Sequence, residues 1–177
     1  MSIKRTKIGF IAFCAGLLLF GCCNRTPETD NVIKESSDVT LKDYGAEPAV
    51  LNIEDYTLSN SNFRTALWTG EKLQVTVMSI PAGCDVGLEA HPDTDQFLRI
   101  EEGTAQVMMG DSEESLTFVQ TVKKDFAILV PAGKWHNIIN TGKKPLKLYS
   151  IYSLVEHPHG TVHKTQEESE EAEHQHD

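Results

Sequence analysis

The chain lacks a cysteine framework, a basic excess, an apolar run long enough to cross a membrane and an internal repeat. Each absence removes a class of protein. Four cysteines in 177 residues, at positions 14, 22, 23 and 84, do not make the evenly paired set of a disulfide-stapled fold. Lys and Arg number 16 against 26 Asp and Glu, for a formal net charge of −10. That balance argues against nucleic acid and anionic lipid as electrostatic partners. The longest apolar run, residues 8–20, falls short of the ~20 residues a spanning helix needs. Beyond that run no segment carries a helical period, which argues against a helical bundle. What remains is a length that suits one domain with a real core.

The two ends differ from the middle. Lys4, Arg5 and Lys7 precede the apolar run, and Leu19-Phe20-Gly21-Cys22 closes it. A basic start, a short apolar stretch and a small residue directly before Cys resemble a bacterial lipoprotein signal. The resemblance implies cleavage after Gly21, lipid attachment at Cys22 and an exported protein held to a membrane by that lipid, on the periplasmic or cell-surface side. An ordinary secretory signal or an uncleaved anchor is the alternative. Residues 22–47 are polar and without period, and read as a flexible tether. Residues 166–177 are rich in Glu and carry His174 and His176. They read as a disordered acidic tail. The domain itself is expected over 48–165.

The middle reads as strands. Leu73–Ile80, Gln96–Glu101, Thr104–Met109, Leu116–Val122, Phe126–Val130, His136–Asn140 and Leu146–Leu154 are β-rich runs set apart by turn residues. Phe126–Val130 is continuously apolar, as a strand buried on both faces would be. Residues 50–67 offer either further strands or a short helix. Many short strands with regular turns indicate an all-β sandwich or barrel.

Two segments within those strands carry the chemistry. The first reads G-x5-E-x-H-x4-Q-x6-G through Gly83, Glu89, His91, Gln96 and Gly103. The second reads P-x-G-x2-H-x3-N through Pro131, Gly133, His136 and Asn140. Side chains two apart on a strand share a face. Glu89 and His91 therefore point together, as do His136, Ile138 and Asn140, and Gln96 opens the neighbouring strand. A carboxylate, an amide and two imidazoles facing one interior suit a divalent cation. Burying the carboxylate without a cation would be costly. An octahedral ion on these four donors keeps positions open for water, substrate or dioxygen. A hydrogen-bonded polar core without metal is the bland alternative. Arg99, alternating away from Gln96, is expected at the surface. Tyr149 and Tyr152 lie on opposite faces of one strand, and one of them is a candidate proton donor. His157, His159 and His163 read either as a cap on the barrel mouth or as an exit segment without chemistry.

The two segments resemble the signatures of the cupin family, G-x5-H-x-H-x3–4-E-x6-G and G-x5-P-x-G-x2-H-x3-N. Glu89 stands where the first His is usual, Gln96 where the Glu is usual, and Asp125 where the second segment opens with Gly. The resemblance implies an all-β cupin jelly-roll, or double-stranded β-helix, barrel with Glu89, His91, Gln96 and His136 around one divalent metal: Mn, Fe, Zn or Ni. Around His91, Trp135 and Tyr149 the wording resembles a bacterial subgroup described as sugar-phosphate-isomerase-like. The function so implied is a metal-binding protein acting on or binding a small polar molecule such as a sugar. A non-catalytic ligand-binding lipoprotein and an iron-dependent dioxygenase are the alternatives, since fold does not fix function. Cupins also pair commonly at a barrel edge, which implies a homodimer.

Overall fold

The computed structural model describes residues 39–173. The expected signal over 1–21, its expected lipid acceptor Cys22, most of the expected tether and His174 to Asp177 lie outside the described residues. The elements in chain order are α1 (Ile53–Ser59), β1 (Arg64–Thr69), β2 (Gln74–Ile80), β3 (Gln96–Glu102), β4 (Thr104–Gly110), β5 (Phe118–Lys123), β6 (Ala127–Val130), β7 (Trp135–Asn140), β8 (Leu146–Tyr152), β9 (Val162–His163) and α2 (Gln166–Glu173).

The strands form two antiparallel sheets, β6-β3-β8-β2-β1-β9 and β5-β4-β7. Alternation along each strand turns one face of each sheet toward the other. On β8, Leu146, Leu148, Ser150 and Tyr152 are buried while Lys147, Tyr149 and Ile151 are not. On β7, His136, Ile138 and Asn140 point inward, as their spacing requires. Met78, Ile80, Leu98, Ile100, Val107 and Ile138 are among the residues that fill the space between the sheets. The strand pattern indicates an all-β sandwich or barrel, and the fold is the jelly roll that the cupin resemblance implies.

A second apolar cluster lies around Tyr56 of α1, Leu67 and Val77, and Val39, Leu41 and Tyr44 pack against it. The tether is therefore shorter than the composition suggests: these three side chains have apolar partners, and Tyr44 N donates to Leu67 O at 2.8 Å. Asp43 fixes the same stretch. Its carboxylate accepts from the backbone N–H groups of Gly45, Thr69 and Gly160 and from Thr69 Oγ1 at 2.6–3.0 Å.

Three further expectations need correction. Residues 166–173 of the acidic tail form α2, anchored by Ser169, which is buried and accepts from Arg64 Nη1 at 2.8 Å. The run 126–130 is not buried on both faces: Phe126 and Leu129 are 40% and 68% exposed, because only one face of β6 is turned toward the core, with Ile128 and Val130 on it. Finally, the segment carrying Glu89 and His91 is not a continuous strand. It pairs with β7 through isolated bridges at Asp85–Ile139 and Glu89–His136 instead of a continuous ladder. The break lies at Gly87, whose φ is +96° and whose N–H bonds Asp85 Oδ1 at 2.9 Å in a local turn.

Asp125 occupies the position where the cupin signature has Gly. Its φ is +72°, and no other non-glycine among the described residues has a positive φ. The backbone there requires the left-handed region, which Asp tolerates better than most residues. Asp125 N bonds Ile100 O at 2.9 Å and Oδ1 accepts from Arg99 at 2.7 Å, which holds the turn.

Candidate metal centre

Glu89 and His136 face each other across a reciprocal backbone pair, Glu89 N to His136 O at 3.1 Å and His136 N to Glu89 O at 2.9 Å. Such a pair sets their side chains on one face. His91, two residues on, has its carbonyl bound by Gly133 N at 2.8 Å. The turn Pro131–Gly133 thus ties the two signature segments together at the ligands themselves. Glu89 Oε1 lies 3.3 Å from His91 Nε2 and 3.3 Å from His136 Nε2. One ligand atom from each of the three fits within 4.8 Å of the others. Two donors bound at right angles about 2.1 Å from one ion stand about 3.0 Å apart, so the arrangement is close to what an ion would need.

The electrostatics agree. Burial alone would raise the Glu89 pKa. The imidazoles of His136 and His91 set against it and the positive charge of Arg64 outweigh it and hold the carboxylate far below its usual range. Burial alone would lower the His91 pKa, but bonding to Glu89 and the charges of Glu89 and Glu156 raise it. Among the described residues Thr76 Oγ1, Glu101 Oε2 and Asn137 Oδ1 are buried without a hydrogen-bond partner, and so are two atoms of the expected ligands, His136 Nε2 and Gln96 Oε1. Each of the last two belongs to a residue whose other polar atom is held, His136 Nδ1 at 3.1 Å from Lys134 O and Gln96 Nε2 donating to Ser150 Oγ at 3.0 Å. Buried polar atoms are rarely left without partners. The donor set therefore fits a divalent cation.

Of the four sequence-derived ligands the structure brings Glu89, His91 and His136 together. Gln96 is buried at the start of β3, beside Tyr152 in register, with its oxygen unpaired. Tyr152, not Tyr149, is the inward tyrosine. Its ring stands edge-on to those of His91 and His157, at 5.5 and 5.4 Å between centroids. Tyr149 faces outward against Phe97. Arg99 is at the surface, as expected, bonded to Glu101 and Asp125.

A cavity of ≈ 570 Å³ opens over the cluster, lined by Glu89, His91, Glu156, His157, His163 and Ala172 of α2 among others. His157 and His163 therefore border the site, whereas His159 is exposed and lies 3.1 Å from Gly45 O. His157 is buried, and burial together with Arg64 lowers its pKa to about 3. A second groove of ≈ 530 Å³ lies along β5 and β6, lined by apolar residues such as Phe118, Phe126 and Leu129. The ligating cluster does not line it.

Two residues at the centre escaped the sequence pattern. Arg64 opens β1, in the stretch whose structure the sequence left open, and its only sign was a charge among apolar residues. Glu156 stands one residue before the His157-Pro-His159 group, where the histidines draw attention. It lies against His91: Glu156 Oε2 is 3.3 Å from Nδ1.

Comparison with known proteins now places the fold. Residues 76–152 match the family model described as "Cupin domain". A protein of Bacillus subtilis called "Uncharacterized protein YrkC" is 56% identical over 139 residues, which is 78% of this chain and 75% of the relative. The chain belongs to the cupin family. "Uncharacterized protein L612" of Acanthamoeba polyphaga mimivirus is 38% identical over 114 residues, 64% of this chain and 69% of that one. Among solved structures, BH2720 from Bacillus halodurans superposes with a TM-score of 0.73 at 57% identity, covering 73% of this chain and 98% of that one.

Proposed function

We propose that this cupin holds one divalent ion on Glu89, His91, Gln96 and His136 and presents it to a small polar molecule such as a sugar. The observation that carries the reading is His136 Nε2, buried without a hydrogen-bond partner, beside a carboxylate oxygen 3.3 Å from both imidazoles; Gln96 Oε1, also buried and unpaired, is the fourth donor of the pattern. A bound divalent ion acts there as Lewis acid and template for a carbonyl or hydroxyl oxygen. The protein's own groups do the rest. Glu89 balances charge and is the carboxylate placed to take a proton. Tyr152 is fully buried, and burial raises its pKa, so it stays protonated as a donor. The α2 helix walls one side of the cavity and limits the size of what enters.

An isomerase-like reaction needs both a base and an acid, and Glu89 and Tyr152 are the pair available. Two His and one carboxylate are also the set of a non-haem iron oxygenase, which keeps dioxygen chemistry as the second reading. A binding role without turnover is the third. We further assign the chain to an exported lipoprotein anchored through Cys22, on the pattern of residues 1–22, and a homodimer to the edge at β6.

The test is elemental analysis of the full chain purified in detergent with and without oxygen, beside His91→Ala and His136→Ala. About one equivalent of metal in the parent and none in either variant is the expected result. Iron with oxygen uptake selects the dioxygenase, and manganese or zinc with sugar turnover selects the isomerase. Metal-free parent protein that still binds no added ion sinks the reading.

A further inference from the structure

We infer that Glu156 is a positioning residue of the metal centre, fixing the tautomer and ring angle of His91 so that Nε2 faces the ion. The inference rests on the metal reading above. His91 lies between two carboxylates. Its Nε2 is 3.3 Å from Glu89 Oε1, on the side shared with His136, and its Nδ1 is 3.3 Å from Glu156 Oε2, on the other. An imidazole that ligates through one nitrogen donates the hydrogen on the other, and the acceptor decides which nitrogen is which. A carboxylate acceptor also makes the ligating nitrogen more basic.

Glu156 is itself held on three sides. Its Oε1 accepts a short hydrogen bond from Thr94 Oγ1, and Thr94 is buried. Its backbone N–H donates to Gln74 Oε1 at 3.2 Å, as does His157 N at 2.9 Å, and Gln74 Nε2 returns a bond to His157 O at 2.7 Å. Gln74 is fully buried on β2. One amide from the sheet thus clamps both sides of the loop that carries the carboxylate. A clamp this complete on a loop residue is unexpected if Glu156 were only a solvated wall of the cavity. The two ligand histidines then differ in kind. His136 is oriented by a backbone carbonyl, Lys134 O, which no substitution removes, and His91 by a side chain, which substitution can.

The experiment measures cobalt(II) affinity of the full chain by chelator competition, with visible absorption of the bound cobalt, for Glu156→Gln, Glu156→Ala and His91→Ala. Loss of an outer partner of a ligating His typically weakens metal binding about 10–100-fold. Glu156→Ala should fall in that range, with altered cobalt bands. Glu156→Gln, which keeps an acceptor but not the charge, should lie between it and the parent. The metal-free melting temperature of Glu156→Gln should stay near that of the parent. If both Glu156 variants bind cobalt within twofold of the parent while His91→Ala has lost it, the positioning role is wrong and the metal site stands. If His91→Ala binds as tightly as the parent, the metal site itself is wrong. A Glu156→Gln protein with lower melting temperature and unchanged affinity assigns the residue to stability alone and overturns the inference.

Discussion

Asn140 closes the second signature segment on the same inward face as His136, yet it holds the backbone instead of a ligand. Its Nδ2 donates to Ile80 O at 2.9 Å, Pro81 O at 3.1 Å and Lys144 O at 2.9 Å, and its Oδ1 accepts from Gly142 N at 2.9 Å. One side chain thus joins the end of β2 to the turn between β7 and β8. The side chain is 1% exposed, so Asn140→Ala leaves these groups without their partner. A net hydrogen bond contributes about 1 kcal/mol, and a buried group left unpaired costs about 1–3. The carbonyls of Pro81 and Lys144 sit at turns where water replaces part of the loss. We expect Asn140→Ala to cost about 3 kcal/mol, a large part of a typical domain stability of about 5–15 kcal/mol. With a urea slope of about 2 kcal/mol/M, the midpoint should drop by about 1.5 M. Asn140→Asp has nearly the same volume but no donor, and should cost at least as much. Urea unfolding followed by tryptophan fluorescence measures both. A loss under about 0.5 kcal/mol for the Ala variant would refute the clip, as would an Asp variant close to the parent.

Three further outcomes follow from named groups. His157 has its pKa lowered to about 3, whereas an unfolded His sits near 6.5. The unfolded chain therefore gains a proton that the fold does not, stability is intact above the unfolded value, and it falls as pH drops from about 6.5 toward 3, by up to about 1.4 kcal/mol per unit. Unfolding of metal-free protein at pH 5 and 6.5 should show this slope in the parent and a flatter one in His157→Gln; equal slopes reject it. For Asp43, burial opposes ionisation, but bonds from Thr69, Gly160 and Gly45 hold the carboxylate below its usual range. Its contribution is present above the unfolded value near 3.9 and is lost on acidification through the lower folded one. Asp43→Ala should cost about 3 kcal/mol and expose residues 39–47 to protease; a resistant segment argues against the clip. Leu129, 68% exposed on the edge strand β6, should lie in the proposed dimer. Leu129→Lys is then expected to give monomers in analytical ultracentrifugation, and a parent chain that is monomeric at every concentration removes the dimer.

Strand positions were legible because the side-chain period of two is enforced by burial. Gln96–Glu101, Thr104–Met109 and His136–Asn140 fall within a residue of β3, β4 and β7. Where neighbours decide instead of period, the sequence misleads. Ala127–Val130 is apolar throughout, yet half of it faces outward, since nothing in a tetrapeptide says whether one face of its sheet is covered or both. The helix α2 has no apolar stripe, and composition alone reads its five glutamates as solvated chain. It is held at Ser169 by Arg64, a residue 105 positions away, and no local window contains that contact.

The centre was legible for a different reason: its spacing reflects backbone constraints that ligands share with structural residues. Gly103 has φ +102°, and a Cβ there would come within 3.1 Å of Leu146, so this glycine belongs to the turn whatever the barrel binds. Asn140 belongs to the clip and Gly133 to the tie on His91. A motif made of such residues can survive in a chain with no chemistry at all, and the match alone therefore says fold. What points to chemistry is a group the fold leaves unsatisfied where donors converge. Asn140 has a partner for each of its polar atoms, whereas His136, two turns of the pleat away, has a fully buried Nε2 without a hydrogen-bond partner and a carboxylate 3.3 Å off. A stable core would have filled that place with Leu or paired it. Retaining an imidazole there costs stability in the absence of an ion, so chelation should lower the melting temperature of metal-loaded protein. In His136→Leu, chelation should leave the melting temperature where it was.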